Sequence, residues 1–145
     1  YRGPVAVLAD GTRVEPGDLV VELHFDNRRL LALSLAGAQL PWDLLRLARL
    51  DLAELACKIA RGELGEVRAL VGITLFARAG RRLGFEVQPL PPTWYHRLQR
   101  FFFIGLIAVY HPLGWQMADR YRARAWPGRA WMSRTALLAR YGAGC

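Results

Sequence analysis

The chain has 145 residues, 53% of them apolar, with a formal charge of +8 and only two cysteines. That length supports one domain burying roughly two-thirds of its unfolded surface, and two cysteines are too few for a disulfide framework. Of the 20 cations only Lys58 is lysine, so the basic surface is guanidinium, suited to a solvated exterior or to a polyanion such as nucleic acid, anionic lipid or acidic glycan.

Val5, Val7 and Leu8 begin a short strand, and the Asp10-Gly11 turn returns the chain through Arg13-Val14 as a hairpin arm. After the Pro16-Gly17 turn, Leu19, Val21, Leu23 and Phe25 alternate with Val20, Glu22, His24 and Asp26 at the strand period. The first set is expected to face a core. The second places Glu22, His24 and Asp26 about 7 Å apart along one strand, with Asn27 closing the row. Arg28 to Leu35 reads as a short helix or an extended arm, broken at Gly37 and Leu40-Pro41.

From Pro41 to Gly62, Leu44, Leu45, Leu47, Ala48, Leu52, Leu55, Ala56 and Ile59 recur at helical spacing, with Asp43, Arg46, Arg49, Glu54 and Lys58 on the opposite face. Val67 to Phe76 is apolar on both faces and suits a central, doubly covered strand. Ala77 to Leu83 is a short helix bearing Arg78, Arg81 and Arg82, stopped by Gly84, with Phe85-Glu86-Val87 as the next strand. Pro89, Pro91 and Pro92 form a rigid connector.

Thr93 caps a helix over Trp94 to Tyr110. Its apolar run, Phe101 to Tyr110, is ten residues long, half of what a bilayer span needs, so burial in the core is the expectation, with a partner domain or bilayer surface as the other place for it. Gly114 to Pro127 shows no regular period. Ala130-Trp131-Met132 reads as a last short strand, and Ser133 caps a closing helix, Thr135 to Tyr141, ended by Gly142. Cys57 lies in a helical pattern and Cys145 at the end, read as a buried thiol and a tail residue rather than a disulfide or metal pair.

Glu22, His24 and Asp26 are the one crowded polar set, in which a carboxylate could orient the imidazole as a general base. His24 and Glu22 are therefore the catalytic candidates. Glycine-rich phosphate loops, nucleophile elbows, His-Glu-x-x-His and paired Cys-x-x-Cys are all missing from the sequence, so no cofactor and no metal site is expected. Aromatic and arginine residues from Trp115 to Trp131 could pair with an anionic ligand, but they match no nucleic-acid module.

Taken together, Asp10-Gly11-Thr12, Pro16-Gly17-Asp18, Glu22-Leu23-His24-Phe25-Asp26-Asn27, Gly72-Ile73-Thr74, Leu83-Gly84-Phe85-Glu86-Val87 and Trp131-Met132-Ser133-Arg134 resemble the YkoP-like domain over nearly the whole chain. The most specific part is Gly-Asp followed by Glu-Leu-His-x-x-Asn. That family occurs alone or at the C-terminus of bacterial polysaccharide deacetylases, so the resemblance implies an accessory role near envelope glycan or lipid-linked sugar metabolism. The Asp-Asp pair and His-x-x-x-His spacing of a deacetylase are not in this sequence. The Leu83-to-Val87 step is also similar to acetyltransferases, without their pyrophosphate loop.

The expected fold is α+β, one domain over residues 1–145 of a longer or processed chain, with a mixed or mainly antiparallel sheet of four to five strands and helices mainly on one face. The expected function is a non-catalytic accessory domain that binds an anionic glycan or lipid-linked component, or docks a catalytic deacetylase domain, with peripheral membrane contact and without specific nucleic-acid binding. Its binding residues are Glu22, His24 and Asn27, with Arg81, Arg82, Arg120 and Arg122 as an electropositive rim. The alternatives are a small enzyme using His24 as general base, or an acetyltransferase-like transferase. Compartment stays open between envelope-associated and cytoplasmic.

Overall fold

The structure, a computed structural model, describes residues 1–24, 40–74, 76–110, 113–124 and 126–145. The fold is α+β. Strands β1 (Ala6–Val7) and β2 (Arg13–Val14) pair antiparallel as the Asp10-Gly11 turn requires, with Gly11 at φ +80°. Strands β3 (Val20–Leu23), β4 (Ala69–Thr74), β5 (Glu86–Pro89) and β6 (Gly128–Ser133) form a mixed sheet in the order β3-β4-β6-β5. β3 runs parallel to β4, and the other pairings are antiparallel.

Side chains alternate across this sheet at the strand period, and each set has its own cover. Val21, Leu23, Leu70, Ala130 and Met132 pack with Leu52, Ala56 and Ile59 of α1 (Leu40–Ala60), with Leu83 beyond α2 (Ala77–Arg82), and with Leu137 of α5 (Arg134–Tyr141). On the reverse, Val20, Ala69, Val71 and Trp131 pack against Leu8 and Val14 of the β1–β2 hairpin, and Tyr1 meets Trp131 edge-on at 5.5 Å between ring centroids. β4 is thus the doubly covered strand that its sequence implies. β6, the expected last short strand, lies inside the sheet and contributes Trp131, 1% exposed, to the second core.

Polar contacts fasten the hairpin to the sheet. Ser133, 2% exposed, caps α5 by accepting a hydrogen bond from the Ala136 backbone N–H at 2.9 Å, and its hydroxyl donates to Asp10. That bond, followed by one from the Thr12 backbone N–H, holds the Asp10 carboxyl below its ordinary value of 3.8. Glu86 of β5 accepts from the Ala9 backbone N–H at 2.7 Å, and Arg68 Nε donates to the Arg13 carbonyl at 3.1 Å.

Four expectations require correction. Leu19 is 50% exposed rather than inward, because pairing begins at Val20, and Val20, expected on the polar face, enters the hairpin core. Cys57 and Cys145 form a disulfide across 88 residues with Cα atoms 5.0 Å apart, tying α1 to the chain end. The irregular stretch after Gly114 is helical, α4 (Gly114–Arg124). The apolar helix α3 (Trp94–Tyr110) has the expected bounds but does not enter the core: Ile104 and Ile107 pack on Ala118 of α4, while Phe101, Phe102 and Val109 are 57%, 61% and 71% exposed. All-round apolarity signals burial only when other elements surround the helix, and α3 meets chiefly α4. The reading of Arg28 to Leu35 lies outside the described residues.

Candidate functional site

The polar row of β3 begins at Glu22, the first position on the hairpin face beyond the cover given to Val20. Glu22 Oε1 stands 3.6 Å from His24 Nε2, with the side chains 67% and 76% exposed. Water therefore competes for every bond this pair makes, and the contact is a surface one. Asp26 and Asn27, the rest of the expected row, lie outside the described residues.

His24 has a second neighbour. Past the end of β3 it stands at the edge of a cavity of about 370 Å³. Leu44, Leu47, Ala48 and Leu52 of α1 form one wall, Gly72 and Ile73 of β4 the floor, and Ala79 and Gly80 of α2, with Leu83 just beyond it, the other wall. The lining is apolar apart from His24, Asp51 and Thr74, a composition that favours a ligand with a hydrocarbon part. Glu22 does not line it. On its wall from α2 the glycine permits a close approach to β5, since at Gly80 an added Cβ would meet Val87 Cγ2 at 3.2 Å.

The four rim arginines divide between two places. Arg81 and Arg82 are exposed at the end of α2, and the Arg82 guanidinium lies over the Trp42 ring, 5.9 Å from its centroid. This contact joins the two helices that wall the cavity. Arg122 is exposed on α4, which contributes nothing to the cavity lining; its carbonyl accepts from Arg100, whose guanidinium stacks on Trp126 at 5.5 Å. The side chain of Arg120 lies outside the described residues. Sequence reasoning missed Trp42 and the apolar lining. The signal for Trp42 was its place right after Pro41 on the first helical turn, where the side chain leaves the apolar stripe.

A smaller polar hollow between Thr12, Asp18, Glu66, Arg68 and Arg134 is knit from within, since Arg134 Nη1 bonds Glu66 Oε2 at 2.8 Å. Among the described residues no cluster of three or more His, Cys, Asp or Glu could hold a metal ion.

The family model described as the YkoP domain matches residues 1–141. The chain belongs to the YkoP domain family. No curated protein and no solved structure matches it at a significant level. Within this YkoP domain, the Gly-Asp and Glu-Leu-His elements mark the turn into β3 and the strand itself, Leu83-Gly84-Phe85-Glu86-Val87 the passage from α2 to β5, and Trp131-Met132-Ser133-Arg134 the step from β6 into α5. The first two border the cavity through Leu23, His24, Leu83 and Phe85, and the last builds both cores and the α5 cap.

Proposed function

We propose that this YkoP domain is a non-catalytic accessory domain of cell-envelope polysaccharide metabolism that binds an anionic, lipid-linked component, with the hydrocarbon in the α1–α2 cavity and the anionic group toward Arg81, Arg82 and His24. The observation that carries this reading is the cavity: about 370 Å³ of apolar space beside a helix bearing Arg78, Arg81 and Arg82 and no acid. A purely sugar ligand would find few hydrogen-bond partners on that lining, whereas an amphiphile satisfies both the lining and the charge. The exposure of Glu22 and His24 favours binding over general-base catalysis, because a solvated pair lacks the dry surroundings that tune such a base. The Cys57–Cys145 disulfide supports an oxidising compartment.

Calorimetric titration with a polyprenyl phosphate, the free polyprenol and inorganic phosphate tests this. Saturable binding is expected for the phosphorylated lipid, weakening as salt rises and falling about tenfold or more in Ala48→Phe, which fills the cavity, and in Arg82→Glu. Failure of the wild type to bind, or unchanged binding in Ala48→Phe, contradicts it.

A further inference from the structure

The α3–α4 hairpin is an excursion between two paired strands. Its base is closed where β5 leads to β6: Leu90 N–H donates to the Pro127 carbonyl at 3.0 Å, and Trp126 Nε1 donates to the Leu90 carbonyl at 2.7 Å. Inside the hairpin, Ile104, Ile107 and Ala118 bury one face of each helix against the other. The opposite face of α3 is as apolar as the buried one. Trp94, Leu98, Phe101, Phe102 and Val109 follow one another at helical spacing and are all exposed, between 57% and 77%. Tyr95 borders the stripe, and Leu113 and Trp115 are exposed at the bend beyond its end.

The stripe is not needed to hold the hairpin together, since α4 already covers the other side. Its composition names the occupant. Trp94 opens the stripe, Leu98, Phe101 and Phe102 carry it to mid-helix and Val109 closes it, an arrangement that suits a helix lying at a bilayer surface, where an indole ring sits at headgroup depth. Residues 94–124 carry five arginines, at 97, 100, 120, 122 and 124, against the single acid Asp119. Arg97 is exposed and lies one turn from both Trp94 and Phe101 at the edge of the stripe, so an anionic surface is attracted and a neutral one is not. At 17 residues α3 is about 25 Å long, and no helix among the described residues is long and apolar enough to cross a membrane.

We infer that the exposed face of α3 lies on an anionic lipid bilayer, with Phe101 and Phe102 entering the acyl boundary and Arg97, which borders them on the same helix, meeting headgroup phosphates. The surface is distinct from the α1–α2 cavity, so the inference stands or falls separately from the ligand proposed above. It places a membrane-bound lipid and the cavity on one molecule.

The test is flotation of the purified chain with vesicles of phosphatidylcholine alone and of phosphatidylcholine with phosphatidylglycerol. Wild type is expected to float only with the anionic vesicles, with partitioning that falls as salt rises. Phe101→Glu/Phe102→Glu is expected to lose about tenfold or more of that partitioning with an unchanged circular dichroism spectrum. Arg97→Glu is expected to lose the preference for anionic lipid, and Ala48→Phe to float as wild type does. Lack of flotation by the wild type, or equal flotation by Phe101→Glu/Phe102→Glu, overturns the inference. Sedimentation showing a dimer that the phenylalanine variant abolishes, or saturable binding of a deacetylase domain at the same phenylalanines without lipid binding, assigns the stripe to a protein partner and overturns it equally.

Discussion

The four-stranded sheet and the α3–α4 hairpin are built from similarly apolar sequence, yet they finish differently. Both faces of the sheet carry a cover over their centre: helices on one side, the β1–β2 hairpin on the other, and the polar Ser133 between them bonded both to Ala136 and to Asp10. The helical hairpin is covered on one side only. It also holds Gln99 Oε1 and Arg100 Nε buried without a partner among the described residues, whereas good interiors satisfy nearly every such atom. A region that satisfies its polar atoms and hides its apolar ones is organised for stability; one that does neither is organised for something outside itself.

Substitutions should separate the two regions sharply. The largest effect is expected at Trp131, 1% exposed at the centre of the sheet: Trp131→Ala should cost about 3–5 kcal/mol in urea unfolding, whereas Phe102→Ser on the hairpin should stay within about 0.5 kcal/mol of wild type. A comparable loss at Phe102 would mean that the hairpin stripe is core after all. Next comes the disulfide. Cys57→Ser, or reductant on the wild type, should lower stability by about 2–4 kcal/mol, read as a drop in thermal midpoint, and an unchanged midpoint would show that the α1-to-terminus link does not constrain the unfolded chain.

Close packing of the sheet predicts a third loss. At Gly128 an added Cβ would stand 2.6 Å from Val87 Cγ1 and 3.2 Å from the Gln88 carbonyl, so Gly128→Ala should cost about 1–3 kcal/mol by overpacking. Gly105 of α3 has open space around it, and Gly105→Ala should stabilise by about 0.5–1 kcal/mol through helix propensity. The same sign at both positions would erase the contrast between the regions.

Smaller effects concern polar contacts. Ser133→Ala removes the α5 cap and should cost about 1 kcal/mol. Because the folded-state Asp10 carboxyl lies below 3.8, its contribution is present above that value and disappears as pH falls through the lower, folded-state one. Asp10→Asn should therefore flatten the acid limb of the stability curve measured by urea titration at several pH values, and an unchanged limb would place the acid sensitivity elsewhere. Glu22→Gln should be smallest, under about 1 kcal/mol, as for any exposed pair.

What the sequence displayed followed from how local each signal is. The Asp10-Gly11 turn, the α1 stripe from Leu44 to Ile59, the Ser133 cap and the bounds of α3 depend on residues a few positions apart, and each is where periodicity or capping puts it. The Cys57–Cys145 link depends on α1 meeting the segment beyond α5 after 88 residues, which spacing does not report. In α4 the mixture of Trp115, Tyr121 and arginines hides a helical period whose buried anchor is the small Ala118. For the candidate site, Glu22 and His24 were legible as neighbours on one strand, but the cavity was not, since its walls come from α1, α2 and β4 and only their packing makes them face one another. Phe101 to Tyr110 taught the reverse lesson: its apolarity was plain, and only the arrangement of neighbours decides which side of such a helix is covered.

The most direct measurement is photo-crosslinking of the purified chain with a polyprenyl phosphate carrying a diazirine in its hydrocarbon, followed by peptide mapping. Binding in the α1–α2 cavity requires labels on Leu44, Leu47, Ala48 and Ile73, competed by unlabelled lipid. Labels confined to the Phe101–Val109 stripe, with none on those four residues, would contradict it.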